Sequence, residues 1–139
     1  MNCPSELVEV VVNGLTFHFR PWFKDYFFIN NGAYGDVCVA SDVHRGGEKV
    51  AVKKLYEPFS SGEKARRAFR ELALLRRLQH DNLLVLLDVY TPDPSPADLT
   101  KIYLVTSYAG SDLSQVIKCV DYKDTHIQEI IYQLLCGLK

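Results

Sequence analysis

The sequence predicts an α+β fold: an antiparallel sheet contiguous along the chain except for one inserted helix, followed by further helices. Two observations predict it. Short runs rich in β-branched, aliphatic and aromatic residues recur between turn residues, and from Ser61 to Leu78 the hydrophobic period lengthens to the about 3.6 residues of a helix. A parallel sheet needs a crossover at each step, so strands joined by short links pair antiparallel.

Three strands are expected first, over Trp22 to Asn30, Asp36 to Ser41 and Lys49 to Tyr56, with His44-Arg45-Gly46-Gly47 making a hairpin turn between the last two. The helix from Ser61 to Leu78 places Ala65, Ala68, Phe69, Leu72, Leu75 and Leu78 on one apolar side. Strands over Leu83 to Tyr90 and Lys101 to Thr106 follow. Between them, the alternating prolines of Thr91 to Pro96 can neither continue a helix nor donate to a sheet, so this stretch is a loop. A short helix is expected from Asp112 to Cys119. Another opens at the capping pattern Thr125-x-x-Gln128 and buries Ile127, Ile130, Ile131, Leu134, Leu135 and Leu138. That last apolar face is broad, and the preceding strands offer too little core to cover it.

The 139 residues, 47% hydrophobic and 24% charged, suit one globular domain. A net charge of -1 excludes a global pull toward nucleic acid or anionic membrane. Cys3, Cys38, Cys119 and Cys136 lie far apart, with neither a CxxC pair nor zinc-site spacing, and are read as reduced thiols. The N-terminus lacks a basic leader, Asn2 stands where myristoylation needs glycine, and the aliphatic run Leu83 to Leu87 is too short to span a bilayer. We therefore expect no membrane and no nucleic-acid partner.

Three features carry chemistry. The first is Asn30-x-Gly32-x-x-Gly35, followed by the strand Val37-Cys38-Val39. Glycines folded between antiparallel strands can lay backbone N–H groups over a triphosphate, although a plain glycine hairpin has the same pattern. The second is Val50-Ala51-Val52-Lys53-Lys54, where alternation puts Lys53 beside Ala51 on one face and Lys54 on the other. Lys53 calls for an anion, whereas Lys54 is read as reaching solvent. The third is Glu71, at the margin of the helix's apolar stripe, where a carboxylate is costly without a partner. Lys64, Arg66, Arg67, Arg70, Arg76 and Arg77 on the same helix read as a solvated face.

The stretches Asn31 to Val37, Val50 to Leu55, Arg70 to Leu72, Leu86 to Pro92, Ile102 to Thr106 and Ser111 to Leu113 resemble the N-terminal lobe of stress-activated MAP kinases, which are serine/threonine protein kinases. The resemblance runs from about Thr16 to Lys139. It implies a protein-kinase-like N-lobe, a five-stranded antiparallel sheet plus one regulatory helix, over residues 16–106. A hinge at 107–111 and the first helices of a C-lobe at 112–139 would follow, in a truncated kinase fold; residues 1–15 are an N-terminal extension without a recognised pattern. By the same resemblance Ile29, Asn30, Asn31, Gly32, Ala33, Tyr34, Gly35, Asp36 and Val37 form a glycine-rich lid over ATP. Lys53 holds the phosphates, Glu71 is its partner, and Thr106 is the gatekeeper. Ser107, Tyr108 and Ala109 read the adenine edge through their backbone, Val37, Ala51 and Leu104 enclose the ring, and Asp112 meets the ribose. Arg67 and Arg70 match positions that sense a phosphothreonine.

The pattern also departs from the family. Asn30 replaces the first glycine and Asp36 a small residue, so ATP affinity is expected to be weaker than in relatives. No catalytic loop, magnesium-binding Asp-Phe-Gly or activation loop occurs in these residues, so the Mg2+ ligands and the catalytic base would lie outside them. The chain alone is expected to be inactive, a truncated product or a partial sequence. The resemblance further implies protein substrates, an upstream dual-specificity kinase, a monomer, and cytoplasmic and nuclear residence. The alternative is a non-catalytic isoform that binds regulators.

Overall fold

Alternation along the strand Glu48–Tyr56 sets the two faces of the sheet. Val50 and Val52 are buried on one, while Ala51 and Lys53 line the other. The computed structural model describes residues 6–32, 35–119 and 122–139. Their elements are β1 (Val8–Val12), β2 (Leu15–Phe19), β3 (Phe23–Gly32), β4 (Gly35–Asp42), β5 (Glu48–Tyr56), α1 (Gly62–Arg77), β6 (Leu86–Tyr90), β7 (Lys101–Ser107), α2 (Leu113–Cys119) and α3 (Asp124–Leu138). β3 to β7 form a five-stranded antiparallel sheet in the order β3-β4-β5-β7-β6, as the α+β reading required. β6 begins three residues later than expected, because Leu83 closes a turn on His80 and Val85 exchanges hydrogen bonds with Ser107 in place of ladder pairing.

The core lies on the Val50 and Val52 face. There Cys38, Ala40, Tyr103 and Val105 of the sheet meet Phe17 and Phe19 of a separate hairpin, β1–β2. The hairpin crosses residue 15, the expected end of the N-terminal extension, and supplies Phe17 and Phe19 to the core. Its signal was present in the sequence. Asn13 and Gly14 take φ of 52° and 76°, the two left-handed residues of a tight hairpin turn, and Val10, Val12, Leu15, Phe17 and Phe19 alternate around it. Full burial of each phenylalanine contributes about 1.5–3 kcal/mol, more than any single surface pair here.

Polar contacts hold the hairpin down. The Tyr90 hydroxyl donates to the His18 carbonyl at 2.9 Å, and Arg20 pairs with Asp88 at 2.9 Å while its guanidinium lies over the Tyr90 ring. The Tyr103 hydroxyl accepts the His18 N–H at 3.1 Å and lies 3.2 Å from His18 Nδ1. Lys54 does not reach solvent as expected: its ammonium donates to the Thr16 carbonyl at 2.7 Å and packs over Phe17 and Tyr56. Burial, chiefly, and the charge of Lys101 push its pKa down.

α1 starts where its cap predicts, with Ser61 Oγ accepting the Lys64 N–H. Its apolar stripe is narrower than expected. Leu72, Leu75 and Glu71 fall within about 60° of Ala68 around the axis, whereas Phe69 lies about 100° away and is 73% exposed. Leu78, one residue past the helix, is 47% exposed. α3 begins at Asp124 rather than at a Thr125 cap, with the Lys123 N–H on His126 Nδ1. Only part of its apolar face is covered. It passes close to Asn82 and Leu83 at Gly137, and Ile130 is half-buried. Ile127, Ile131, Leu134, Leu135 and Leu138, expected to be buried, remain 45–75% exposed because no described element packs over them. Cys38 and Cys136 are free thiols; Cys3 and the side chain of Cys119 lie outside the described residues.

Two predictions follow from the hairpin. Phe17→Ala is expected to lower unfolding stability by about 3–5 kcal/mol in urea denaturation, and a loss below about 1 kcal/mol would mean the hairpin is not part of the core. His18 has a lowered pKa, caused first by burial and then by Lys101 and Lys54, with Glu9 and Asp93 opposing. The unfolded chain therefore takes up the proton first, so stability falls as pH drops below the ordinary histidine value of about 6.5. Comparing urea midpoints at several pH values between 5 and 7.5, His18→Gln is expected to flatten this slope; an unchanged slope would refute the assignment.

Candidate nucleotide-binding cleft

The face opposite the hairpin forms the cleft. Gly32 pairs with Gly35, making β3 and β4 a flap; Ala33 and Tyr34, two of the expected site positions, lie outside the described residues. Gly35 takes a φ of 155°, and a Cβ there would lie 2.1 Å from the Lys54 carbonyl oxygen, so only glycine lets the start of β4 press this closely on β5. Cross-strand pairing then builds two rows. Asn30, Val37, Lys53 and Leu104 form one, and Val39, Ala51 and Thr106 form the next, with Phe27 at its outer end. Opposed residues in an antiparallel sheet share a face, so these side chains lie on one side of the sheet, where Val39 and Leu104 are fully buried and Val37, Ala51, Lys53 and Thr106 only partly so.

Lys53 Nζ lies 2.5 Å from Glu71 Oε1, with the two side chains 30% and 32% exposed. Glu71 lies on the same stripe of α1 as Ala68, Leu72 and Leu75, which are half-buried. A half-buried ammonium has three donors, and this bond uses one. Two N–H groups of Lys53 thus stay available within the cleft, beneath the flap, which is donor chemistry suited to a polyphosphate.

Beyond Thr106 the chain leaves the sheet. Ser107 was expected to read adenine through its backbone, but its N–H donates to the Val85 carbonyl at 3.0 Å and its Oγ accepts the Val85 N–H at 3.2 Å. That donor is committed to the chain itself. The Tyr108 ring meets Phe27 edge-on at 6.2 Å, with the Lys49 ammonium over Phe27. Asp112 caps α2, its Oδ1 accepting the Gln115 N–H at 2.8 Å. Ile29 falls in the irregular stretch between Phe28 and Asn30; like Asn30 and Asn31 it is exposed on the flap. Arg67 and Arg70 are exposed on α1, and Arg67 lies 3.4 Å from Glu63. Among the described residues no group of three or more His, Cys, Asp or Glu side chains could hold a metal.

Asp36 is not a cleft residue. It pairs with Lys54, so it faces the hairpin side with Cys38 and Ala40, fully buried and accepting a hydrogen bond from the Tyr56 hydroxyl. The expected repulsion of phosphates by its carboxylate is therefore absent. Burial raises its pKa, with Lys54 opposing, and raises that of the Cys38 thiol to about 12. Conversely, Val39 and Phe27 were missed. Val39 shares parity with Val37 and was legible; Phe27 was hidden because β3 carries two irregularities, between Lys24 and Phe27 and between Phe28 and Asn30, that break the two-residue period.

A glycine flap between antiparallel strands, above a strand lysine paired with a helix glutamate, defines the nucleotide-gripping lobe of a protein kinase. The chain belongs to the protein kinase domain family, which it matches over residues 23–139. It is similar to mitogen-activated protein kinases: 43% identical over 136 residues to mitogen-activated protein kinase pmk-2 of Caenorhabditis elegans, covering 98% of this chain and 32% of that protein. It is also 48% identical over 120 residues to mitogen-activated protein kinase 12 of Mus musculus, covering 86% of this chain and 32% of that protein. The human protein of that name is 46% identical over the same length. The chain thus spans about a third of the length of these relatives.

Gly35→Ala is expected to destabilise the fold by more than about 1 kcal/mol, since its backbone angle and the Lys54 carbonyl both exclude a methyl group. Thermal unfolding checks this, and an unchanged midpoint would show that β4 can move away from β5.

Proposed function

We propose that these residues hold ATP in a serine/threonine MAP kinase of a stress-signalling cascade. The observation that carries the reading is the Lys53–Glu71 ion pair lying under the glycine flap. Glu71 fixes the ammonium so that its remaining N–H groups meet the α and β phosphates, and positioning of this kind supplies much of phosphoryl-transfer catalysis. Val37 and Ala51 offer an apolar surface to the adenine ring, backed by the fully buried Val39 and Leu104, and Tyr108 and Ala109 offer its backbone partners. Asp112 keeps one carboxylate oxygen for the ribose while the other caps α2. Magnesium-bound ATP, when present, supplies the transferable γ-phosphoryl group; the residues here orient it.

The family resemblance supports protein substrates, an upstream dual-specificity kinase, a monomer, and cytoplasmic and nuclear residence. Arg67 and Arg70, exposed on the helix that carries Glu71, suit capture of a phosphothreonine through charge-assisted bonds, which would bias Glu71. The 139 residues hold neither the catalytic base nor the metal ligands of the family, so on its own this chain binds nucleotide without turnover.

Titration of the chain with a fluorescent ATP analogue and magnesium tests the reading. Lys53→Met is expected to weaken binding at least tenfold, about 1.4 kcal/mol, and Glu71→Gln by a smaller factor. Binding that ignores both substitutions would sink the assignment.

A further inference from the structure

The Asp36 carboxyl is buried one residue from the open end of the flap, and the nucleotide site does not use it. Its Oδ2 accepts from the Tyr56 hydroxyl, while its Oδ1 finds no partner among the described residues. The neighbouring ammonium, Lys54, is engaged with the Thr16 carbonyl, and Cys38 and Ala40 on the same face are apolar. A buried carboxyl satisfied on one oxygen only is destabilising, and hydrophobic packing against the hairpin has no need of it.

Its placement suggests a use. The β4–β5 ladder runs from Asp42↔Glu48 to Gly35↔Leu55 and stops there, at the open end of the flap. Tyr56 lies one residue beyond that last pair, so its hydroxyl reaches diagonally back to Asp36 and closes the ladder where pairing ends. Asp36 is flanked by Gly35, pressed on the Lys54 carbonyl, and by Val37, which sits opposite Lys53 in the cleft.

We propose that the Asp36 carboxyl and the Tyr56 hydroxyl form a latch that fixes the height of the glycine flap above Lys53, making Asp36 a positioning residue for the nucleotide phosphates and not a ligand to them. The inference rests on the nucleotide-binding reading above. Removing either partner frees the start of β4 at the open end of the flap while leaving every cleft side chain in place.

The experiment compares Tyr56→Phe, Asp36→Ala, their combination and Asp36→Asn in the whole chain, measuring affinity for the ATP analogue, thermal midpoint and hydrogen exchange of the Gly35 to Val39 amides. Each of the first two is expected to weaken binding three- to tenfold and to speed exchange at the start of β4 but not in β7. The double variant should be no worse than the weaker-binding single one, because both remove the same bond. Asp36→Asn keeps an acceptor for Tyr56 and should recover most of the affinity. A lowered thermal midpoint with affinity within twofold of the parent and β4 exchange unchanged would overturn the latch, as would additive effects. Tyr56→Phe deletes one oxygen from a partly exposed ring, so it decides the matter if Asp36→Ala fails to fold. Lys53-dependent binding that is indifferent to the latch variants defeats the latch alone; a parent chain whose binding ignores Lys53→Met defeats the nucleotide reading, and the latch with it.

Discussion

The Lys53–Glu71 ion pair is the contact on which the rest of the arrangement depends. It ties the sheet to α1, whose own apolar stripe is only half-buried and would hold the helix loosely by itself. Both partners are partly desolvated. Breaking the pair would leave one charge in the cleft without compensation, so the bond fixes the helix orientation as much as it fixes the lysine. The flap above and the exposed arginines on the outer side of α1 gain meaning only once that orientation is set.

The sheet serves two purposes because its faces are chemically distinct. One face is sealed by the hairpin with aromatic rings and a network of tyrosine hydroxyls, and this gives β5 and β7 a rigid backing. The other carries small or half-buried residues, Ala51, Thr106 and Val37, leaving room beside Lys53. Successive lysines illustrate the division. Lys53 meets a helix carboxylate in the cleft and Lys54 a hairpin carbonyl behind it, a separation that follows from a single step along a pleated strand.

Much of this was legible in the residues. The strand and helix periods, the glycine spacing and the parity of Val50 to Lys54 sufficed for the sheet, α1 and the Lys53–Glu71 pair. What escaped had identifiable physical causes. Asn13-Gly14 is a strong hairpin signal, but the strand before it is only five residues long and starts close to the terminus. Phe69 was assigned inward because an apolar side chain at the edge of a helical stripe looks buried until the axis is oriented. Asp36 was placed near the phosphates by proximity in sequence, although parity with Lys54 puts it on the far side. The pair of hydrogen bonds between Ser107 and Val85 has no local signature, since it joins residues on separate segments.

The two irregularities in β3 have a consequence for how the molecule behaves in company. β3 and β6 are the outermost strands, and each exposes unpaired backbone donors and acceptors that another chain could extend. Two inserted residues with Lys24 and Asp25 beside them spoil the straight template on one border, and on the other β6 is only five residues long and carries Asp88 held by Arg20. The open sheet is thereby guarded against intermolecular strand addition at both margins, a safeguard against aggregation written into the backbone rather than into the core.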